Sequence, residues 1–361
     1  NAFDASVQIT RISDNDPKLN EPNVIKLGDG DVYLRGDSLY TIADGSSWSA
    51  AEANAIKLGG NLATINDAKE NIDIFKTFGF GSDGKTISSG YWIGLTDSET
   101  EGDWKWSSGE EVKWMEYSFQ PGVYGHEPNG NGDHAWVKSG FDHPNKTYDE
   151  YVSIHNSHFQ EHGQPLWDER GPGWDDTWES GEGTNYGVAE IPIIRRNDSA
   201  YAIVEGPTWE EAEANAQRLG GNLVSINDAS ENEWLVEAFK DADKAHEQGE
   251  EDIYHIGLNR DSVDSPWEWS NGEQVTFTNF GPKEPYNGKK TAAMNTFEEG
   301  EYSGNHWASV VGSWVDGYGD SVYGIAEIKL PSTYIPPPST PDLIATSDSG
   351  ISNSDNLTND N

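Results

Sequence analysis

The chain repeats one stretch of its sequence almost residue for residue, which limits the fold to two copies of one domain. Residues 47–68 read SWSAAEANAIKLGGNLATINDA, and residues 208–229 read TWEEAEANAQRLGGNLVSINDA. The second stretch begins 161 positions after the first, with no gap between the two alignments. A repeat of this length indicates a duplicated domain, so each copy serves as a comparison for the other.

The similarity between the two copies continues downstream of this stretch. The matching pairs are WIGL at 92–95 with HIGL at 255–258, WKWS at 104–107 with WEWS at 267–270, Glu127-Pro128 with Glu284-Pro285, and GVAEI at 187–191 with GIAEI at 324–328. The offset between the copies falls from 157 at the Glu-Pro pair to 137 at the last motif. Copy one therefore carries an insertion of about 20 residues between these two motifs.

Charge and cysteine content exclude several classes of function. The chain has 23 basic and 63 acidic side chains, a formal net charge of −40, and no cysteine. Such acidity disfavours nucleic acid and anionic membrane surfaces as partners. No stretch approaches the roughly 18 apolar residues of a membrane helix, so we expect no membrane insertion. The absence of cysteine excludes disulfides, thiolate metal sites and thiol catalysis.

The order of sequence patterns predicts an α+β fold. In copy one, apolar residues at helical spacing predict a helix that starts at Trp48 and ends at Gly59-Gly60, and a second helix over about 68–78. Short strands and glycine-rich loops follow. We predict a polar segment at 1–36, domain 1 at 37–194, domain 2 at 198–330, and a proline-rich linker with the start of a further module at 331–361.

The motifs, taken in order, resemble the C-type lectin-like domain. They are a helix followed by Gly-Gly-Asn-Leu, then Trp-Ile-Gly-Leu, Trp-x-Trp-Ser, Glu-Pro-Asn, Trp-Asp-Asp and a final Ala-Glu-Ile strand. The resemblance covers nearly all of both copies and implies two tandem domains of a cysteine-free, bacterial type. Each would have two helices, small antiparallel sheets and long loops. Ala189-Glu190 stands where the family usually has a cysteine followed by glutamate.

Five residues of copy one are candidate ligands for Ca²⁺. A hard cation such as Ca²⁺ takes six to eight oxygen ligands from carboxylates, amides and carbonyls. The resemblance implies that two loops bring such groups together, and that two neighbouring sugar hydroxyls complete the shell. By the same resemblance, Glu-Pro-Asn favours mannose-, glucose- or fucose-type sugars. The predicted calcium and sugar ligands are Glu127, Asn129, Asp133, Asp175 and Asp176.

Copy two has lost several of these ligands. Its motif reads Glu284-Pro285-Tyr286, and its second loop has Val315 before Asp316. Lys289-Lys290 stand where copy one has Asp133, and two cations oppose the binding of another. We therefore predict that domain 2 is a degenerate, calcium-free copy.

These observations predict a calcium-dependent, carbohydrate-binding module without enzymatic activity. Its partners would be glycans on a cell surface, and the module would belong to a larger secreted or surface-located adhesive protein. The alternative is a calcium-dependent adhesin that binds protein or ice through the same loops.

Two weaker sequence features suggest other functions. His155, His158 and His162 have helical spacing in the insertion and could bind Zn²⁺ or Cu²⁺ in a metalloenzyme, although a solvated loop is the favoured interpretation. Arg35-Gly36-Asp37 spells an integrin-recognition tripeptide, and a chance match is the favoured interpretation of it.

Overall fold

In a computed structural model, the chain forms two similar α+β domains that follow each other directly. The structure describes residues 24–80, 90–114, 121–122, 125–126, 132–137, 145–161, 171–179, 184–240, 253–286, 288–296, 310–317 and 323–331. The predicted linker and further module after Pro331 lie outside these ranges. No helix within them is both long enough and apolar enough to cross a membrane.

The described part of domain 1 contains eleven strands and three helices. In chain order they are β1 Ile25–Leu27, β2 Val32–Arg35, β3 Ser38–Asp44, α1 Trp48–Lys57, β4 Asn61–Leu62, α2 Ala68–Phe78, β5 Tyr91–Thr96, β6 Lys105–Trp106, β7 Pro121–Gly122, β8 Gly125–His126, β9 His134–Val137, α3 Tyr148–Glu161, β10 Trp174–Thr177 and β11 Tyr186–Pro192.

Domain 2 repeats this order in its described residues with eight strands and two helices. They are β12 Ile194–Arg196, β13 Ser199–Glu205, α4 Trp209–Arg218, β14 Asn222–Leu223, α5 Ala229–Phe239, β15 Ile253–Asn259, β16 Glu268–Trp269, β17 Thr291–Asn295, β18 Trp314–Asp316 and β19 Tyr323–Lys329.

The last strand of each domain lies in the middle of its sheet. In domain 1 the order is β1-β2-β3-β11-β5-β9-β10, with β4 also on β11 and β6 on β5. In domain 2 it is β12-β13-β19-β15-β17-β18, with β14 on β19 and β16 on β15. Each domain therefore closes only when its final strand inserts between an early and a late one. The predicted α+β class, with two tandem domains of this kind, is confirmed.

The helices of the repeated stretch have the predicted start and stop signals. The hydroxyl of Ser47 accepts a hydrogen bond from the N–H of Ala50 and caps α1, and such a cap satisfies an otherwise unpaired N–H group of the first turn. Gly59 follows the helix with φ of 91°, a conformation that favours glycine. Thr208 caps α4, and Gly220 follows it in the same way.

The hairpin β1–β2 pairs with β3 in the sheet of domain 1, although it falls within the segment predicted as polar and turn-rich. Arg35, at the end of β2, reaches α2. Its guanidinium lies 2.8 Å from the Glu70 carboxylate and 3.1 Å from that of Asp73. The arginine of the Arg35-Gly36-Asp37 tripeptide is thus bound within the domain, which argues against integrin recognition.

Part of the insertion in copy one is a helix, so the expectation of a solvated loop was wrong for this part. Helix α3 spans Tyr148–Glu161 and includes His155 and His158. Tyr151 is buried in the domain 1 core, where its ring packs against Phe75 with the centroids 5.3 Å apart. Burial of this side chain ties the helix to the domain. His162 lies outside the described residues.

Each domain has its own hydrophobic core, and a further cluster of buried side chains spans both domains. This cluster runs from Leu58, at the end of α1, to Val204 in β13. The two elements lie so close that a Cβ added at Gly59 would collide with the carbonyl oxygen of Ile203. A Cβ at Gly220, the equivalent position of domain 2, would meet open space. Gly59 therefore permits the contact between the domains.

We expect Gly59→Ala to lower the melting temperature clearly more than Gly220→Ala. Both variants place a side chain at positive φ, which costs about 1–2 kcal/mol. Only Gly59→Ala also pushes α1 away from β13. Calorimetry should show one unfolding transition for the parent protein and for Gly220→Ala, and two for Gly59→Ala. Equal effects of the two variants would contradict the contact.

Two neighbouring carboxyl groups, the half-buried Glu190 and the buried Glu70, lie at the closing strand of domain 1. Glu190 in β11 accepts hydrogen bonds from the hydroxyls of Tyr40 and Ser38, both at 2.9 Å. Glu70 in α2 accepts from Arg35 at 2.8 Å and also lies 2.9 Å from the Tyr40 hydroxyl, whose single proton the two carboxyl groups share. Burial, followed by the charge of Glu70, raises the pKa of Glu190 to about 7.

Domain 2 has an additional cation at the corresponding place. Glu327 is the counterpart of Glu190, and the ammonium of Lys329 lies 2.7 Å from its carboxylate. Pro192 stands in domain 1 where Lys329 stands in domain 2. The two domains therefore differ in how this buried charge is balanced.

We expect Glu190→Gln to be more stable than the parent protein at pH 8 and similar to it at pH 5. The pKa of Glu190 lies higher in the folded than in the unfolded chain. Its contribution to stability is therefore complete below about pH 4 and lost as the pH rises through about 7. The pKa difference corresponds to on the order of 3 kcal/mol. Urea unfolding of both proteins at pH 5 and pH 8 measures the difference in their free energies of unfolding.

The matched control is Glu327→Gln, which removes the partner of Lys329 and should lower stability at both pH values. If Glu190→Gln shifted the unfolding midpoint equally at pH 5 and pH 8, the pH dependence would not come from this carboxyl group.

Candidate functional site

Three acidic residues lie at one end of the domain 1 sheet. Asp97 follows β5, Asp133 precedes β9, and Asp176 lies in β10. Strand β9 pairs with both of the others and sets Ala135 opposite Asp176. The sheet therefore brings the predicted ligands Asp133 and Asp176 to the same end and adds Asp97, which sequence reasoning missed.

Asp97 is a buried carboxylate with one oxygen unsatisfied. Its N–H donates to the carbonyl oxygen of Asp133 at 3.1 Å, and its Oδ2 accepts from the N–H of Gly102 at 2.8 Å. Its Oδ1 is buried and has no hydrogen-bond partner within the described part of the chain. A buried, unpaired carboxylate oxygen costs free energy unless a cation or a donor meets it.

Asp176 holds the loop that precedes Asp133. Its Oδ2 accepts a hydrogen bond from the N–H of Gly132 at 3.2 Å, and its side chain is largely buried. A Cβ at Gly132 would collide with the backbone of Thr177. Only glycine allows the loop to approach β10 this closely, so the small residue fixes the distance between the two acidic segments.

Of the three remaining predicted ligands, the structure describes only Asp175. Asp175 is half-buried and pairs with Trp136 across the β9–β10 ladder. Glu127 and Asn129 lie outside the described residues. Across the described ranges, no three acidic or histidine side chains come close enough together to hold a metal ion by themselves. The described side chains are nevertheless of the type that Ca²⁺ binds, because Ca²⁺ takes carboxylate oxygens as ligands. The Oδ1 atom of Asp97 is one such oxygen.

A histidine anchors the segment that follows β10. The ring of His134 stacks on Trp48 with the centroids 4.6 Å apart, and its Nε2 lies 2.7 Å from the Glu179 carboxylate. Its Nδ1 lies 3.0 Å from the hydroxyl of Thr96. Burial lowers the pKa of His134 despite the opposing effect of Glu179. Glu179 also accepts from the N–H of Ser49 at 3.0 Å, which joins this segment to α1.

Trp178 is a second residue that sequence reasoning missed. It lies between Asp176 and Glu179, which both have partners in the domain, and 68% of its surface is exposed. The local sequence does not indicate the exposure of Trp178, because nothing in it shows which of the many tryptophans of the chain lies at the surface. For Asp97 a signal was present: it directly follows the Trp-Ile-Gly-Leu strand, where copy two has Arg260.

The corresponding end of domain 2 uses its carboxylates within the protein. Asp316 is buried; its Oδ1 accepts from the N–H of Tyr286 and its Oδ2 from the N–H of Lys289, both at 3.0 Å. Glu284 accepts from the N–H groups of Tyr286 at 3.1 Å and Asp316 at 3.3 Å. The Glu284–Pro285 peptide is cis. Both carboxylates are therefore already hydrogen-bonded to protein donors.

Comparison with known proteins assigns both domains to one family. The family described as Lectin C-type domain matches residues 44–156 and 205–317, which together are more than half of the chain. C-type mannose receptor 2 of Mus musculus is 27% identical over 276 residues, covering 73% of this chain and 16% of the receptor. Secretory phospholipase A2 receptor of Bos taurus is 24% identical over 285 residues, covering 75% of this chain and 17% of the receptor.

The chain thus spans only a small part of these relatives. Among solved structures, the cow C-type carbohydrate-recognition domain of CD23, determined in the presence of a GlcNAc2Man3 oligosaccharide, is similar to 38% of this chain. The match covers 94% of that domain, with 20% identity and a TM-score of 0.29. Since the family matches both halves of the repeat, the protein belongs to the C-type lectin domain family.

Proposed function

We propose that domain 1 binds carbohydrate through a Ca²⁺ ion, in an adhesive protein at the cell surface or outside the cell. The observation that carries the proposal is the buried Oδ1 of Asp97, which has no hydrogen-bond partner among the described residues and whose backbone is hydrogen-bonded to that of Asp133. A divalent cation at this end of the sheet would satisfy that oxygen. Glu127, Asn129, Asp133, Asp175 and Asp176 are the proposed ligands, and Asp97 joins them.

The sugar would bind by reversible ligation, without turnover. A Ca²⁺ ion held by protein oxygens on one side can accept two neighbouring hydroxyls on the other, and carboxylate and amide ligands can hydrogen-bond to the same hydroxyls. Glu127-Pro128-Asn129 favours mannose-, glucose- or fucose-type sugars, by its likeness to the family motif. The exposed ring of Trp178 offers an apolar surface beside this end of the sheet.

A single shallow site of this kind binds a monosaccharide with low affinity. Monosaccharide affinity on the order of 1 mM corresponds to about −4 kcal/mol. Useful adhesion would therefore need several sites acting together, which a larger protein with repeated modules supplies. Similarity to long receptors, of which this chain spans 16% and 17%, supports such a multidomain context.

We expect Asp176→Ala and Glu127→Ala each to abolish Ca²⁺ binding and, with it, glycan binding. Each substitution removes a carboxylate from a site that cannot replace it, and Ca²⁺ affinity falls with ligand charge. Calorimetry measures the ion, and a glycan array with the protein clustered on beads, in calcium and in chelator, measures the sugar. The parent protein should give signals on mannose- or fucose-type glycans that chelator removes.

The matched control is Asp316→Ala, the same change at the equivalent strand of domain 2, which should leave both measurements unchanged. Full Ca²⁺ affinity in Asp176→Ala would show that the site is assigned to the wrong residues. An empty array with Ca²⁺ still bound would favour the alternative, a protein or ice ligand.

We expect Asp97→Asn to stabilise the calcium-free protein and to weaken its response to calcium. The amide oxygen can keep the hydrogen bond from Gly102, while the unpaired buried charge is removed. Thermal unfolding with chelator and with saturating Ca²⁺ separates the two effects. The parent protein should gain more in melting temperature from calcium than the variant does. An equal gain in both would exclude Asp97 as a ligand.

A further inference from the structure

The same loop carries opposite charge in the two domains. The N–H of Asp97 donates to the carbonyl oxygen of Asp133 at 3.1 Å, and the N–H of Arg260 donates to that of Lys290 at 2.8 Å. This shared backbone bond shows that Arg260 occupies the position of Asp97, and Lys290 that of Asp133. Domain 2 therefore has a cation at each of two positions where domain 1 has a carboxylate.

The charge reversal extends along the loop. Residues 283–290 contain three lysines and one acidic residue, whereas the equivalent residues 126–133 contain two acidic residues and no lysine. This local excess of lysine stands out in a chain with 23 basic and 63 acidic side chains. This loop has fewer carboxylates that could bind a metal ion and carries more positively charged side chains. Such a loop is suited to binding an anionic molecule.

Arg260 holds this loop from within. Its Nε and Nη2 donate to the carbonyl oxygen of Lys289 at 2.9 and 2.7 Å, and its Nη1 donates to that of Val263 at 2.8 Å. Its guanidinium lies 4.3 Å from the centre of the Trp267 ring and 3.7 Å from the Asp316 carboxylate. Only 9% of the arginine side chain is exposed. A fixed guanidinium thus supplies positive charge inside the loop, beside the buried Asp316.

The loop presents one aromatic ring to solvent on a fixed backbone. Tyr286 is 77% exposed, while its N–H is held by the carboxylates of both Asp316 and Glu284. An aromatic ring on a backbone held in this way can stack on the apolar face of a sugar without ordering of the loop backbone on binding. The three lysines, Lys283, Lys289 and Lys290, are all exposed beside it in sequence.

We propose that residues 283–286 and 288–290 of domain 2 form a calcium-independent binding site for acidic saccharides. The ring of Tyr286 stacks on a sugar, and the lysine ammonium groups pair with its carboxylate or sulfate groups. Arg260 keeps the loop in place without a metal ion. Two exposed acidic residues, Asp261 and Asp264, follow Arg260 and weaken the local positive field, so a ligand must reach the lysines directly.

The test uses the intact protein in chelator at about 0.15 M salt, where charges more than ~8 Å apart are largely screened. The probes are immobilised polygalacturonate, which carries carboxylates, dextran sulfate, which carries sulfates, and neutral dextran. We expect retention on at least one acidic polymer and none on dextran. The comparison of the two acidic polymers identifies the anionic group. Retention that requires calcium, or no retention on either polymer, would overturn the proposal.

Two variants locate the site, and each has a matched control. Tyr286→Ala and the double variant Lys289→Gln with Lys290→Gln should each weaken binding about tenfold. Ile56→Ala removes an exposed apolar side chain of domain 1 that lies outside the proposed calcium and sugar site, and Lys105→Gln with Lys113→Gln removes the same charge there. Neither control should change the affinity. Equal weakening by the control pair would show general electrostatic attraction and contradict a defined site.

Arg260→Gln tests how the loop is held. Hydrogen exchange of the Tyr286 and Lys289 amides should be slow in the parent protein, with or without calcium, and faster in this variant. Slow exchange retained in Arg260→Gln would contradict the role given to the arginine. Asp176→Ala should leave binding to acidic polymers intact, so failure of the calcium site in domain 1 and failure of this site give different results.

Discussion

A buried carboxylate ties three segments of each domain together, and the two domains form this contact with equivalent atoms. In domain 1, Glu52 of α1 accepts hydrogen bonds from the side chain of Asn61 at 2.6 Å, the N–H of Leu62 at 2.8 Å and the hydroxyl of Ser107 at 3.1 Å. Glu213 makes the equivalent three bonds in domain 2 at the same distances. In a chain without cysteine, this network joins the helix, the glycine turn and the strand β6 region, so it helps to hold elements that no disulfide can link.

This contact explains why much of the fold could be predicted from the repeated stretch. The Ala-Glu-Ala-Asn and Gly-Gly-Asn-Leu sequences contain the helix signals and two of the three partners of the buried glutamate, so local and tertiary preferences agree there. Helix α3 and the hairpin β1–β2 lie outside the repeated stretch. Burial of Tyr151 and the ion pairs of Arg35 link them to domain 1, and a single local window contains neither partner.

The candidate site shows the same division between local and tertiary information. Asp176 belongs to the Trp-Asp-Asp motif and Asp133 follows the Glu-Pro-Asn motif, so the sequence names both as candidate ligands. Asp97 follows the Trp-Ile-Gly-Leu strand, but its significance arises from a backbone bond to a residue 36 positions away and from an oxygen without a donor in the described part of the chain. Burial and missing partners are properties of the folded chain, and sequence patterns report them only indirectly.

Main-chain bonding explains how one scaffold can carry opposite charges at the same place. The bond from Asp97 to Asp133 and that from Arg260 to Lys290 join backbone atoms, so they form whatever the side chains are. The side chains at these positions are therefore free to differ without loss of the loop geometry. In domain 2 the guanidinium of Arg260 then supplies internally the positive charge that a bound cation would bring to domain 1. Duplication with such an exchange gives one fold two loops of opposite charge, and a cluster of buried side chains packs the two domains against each other.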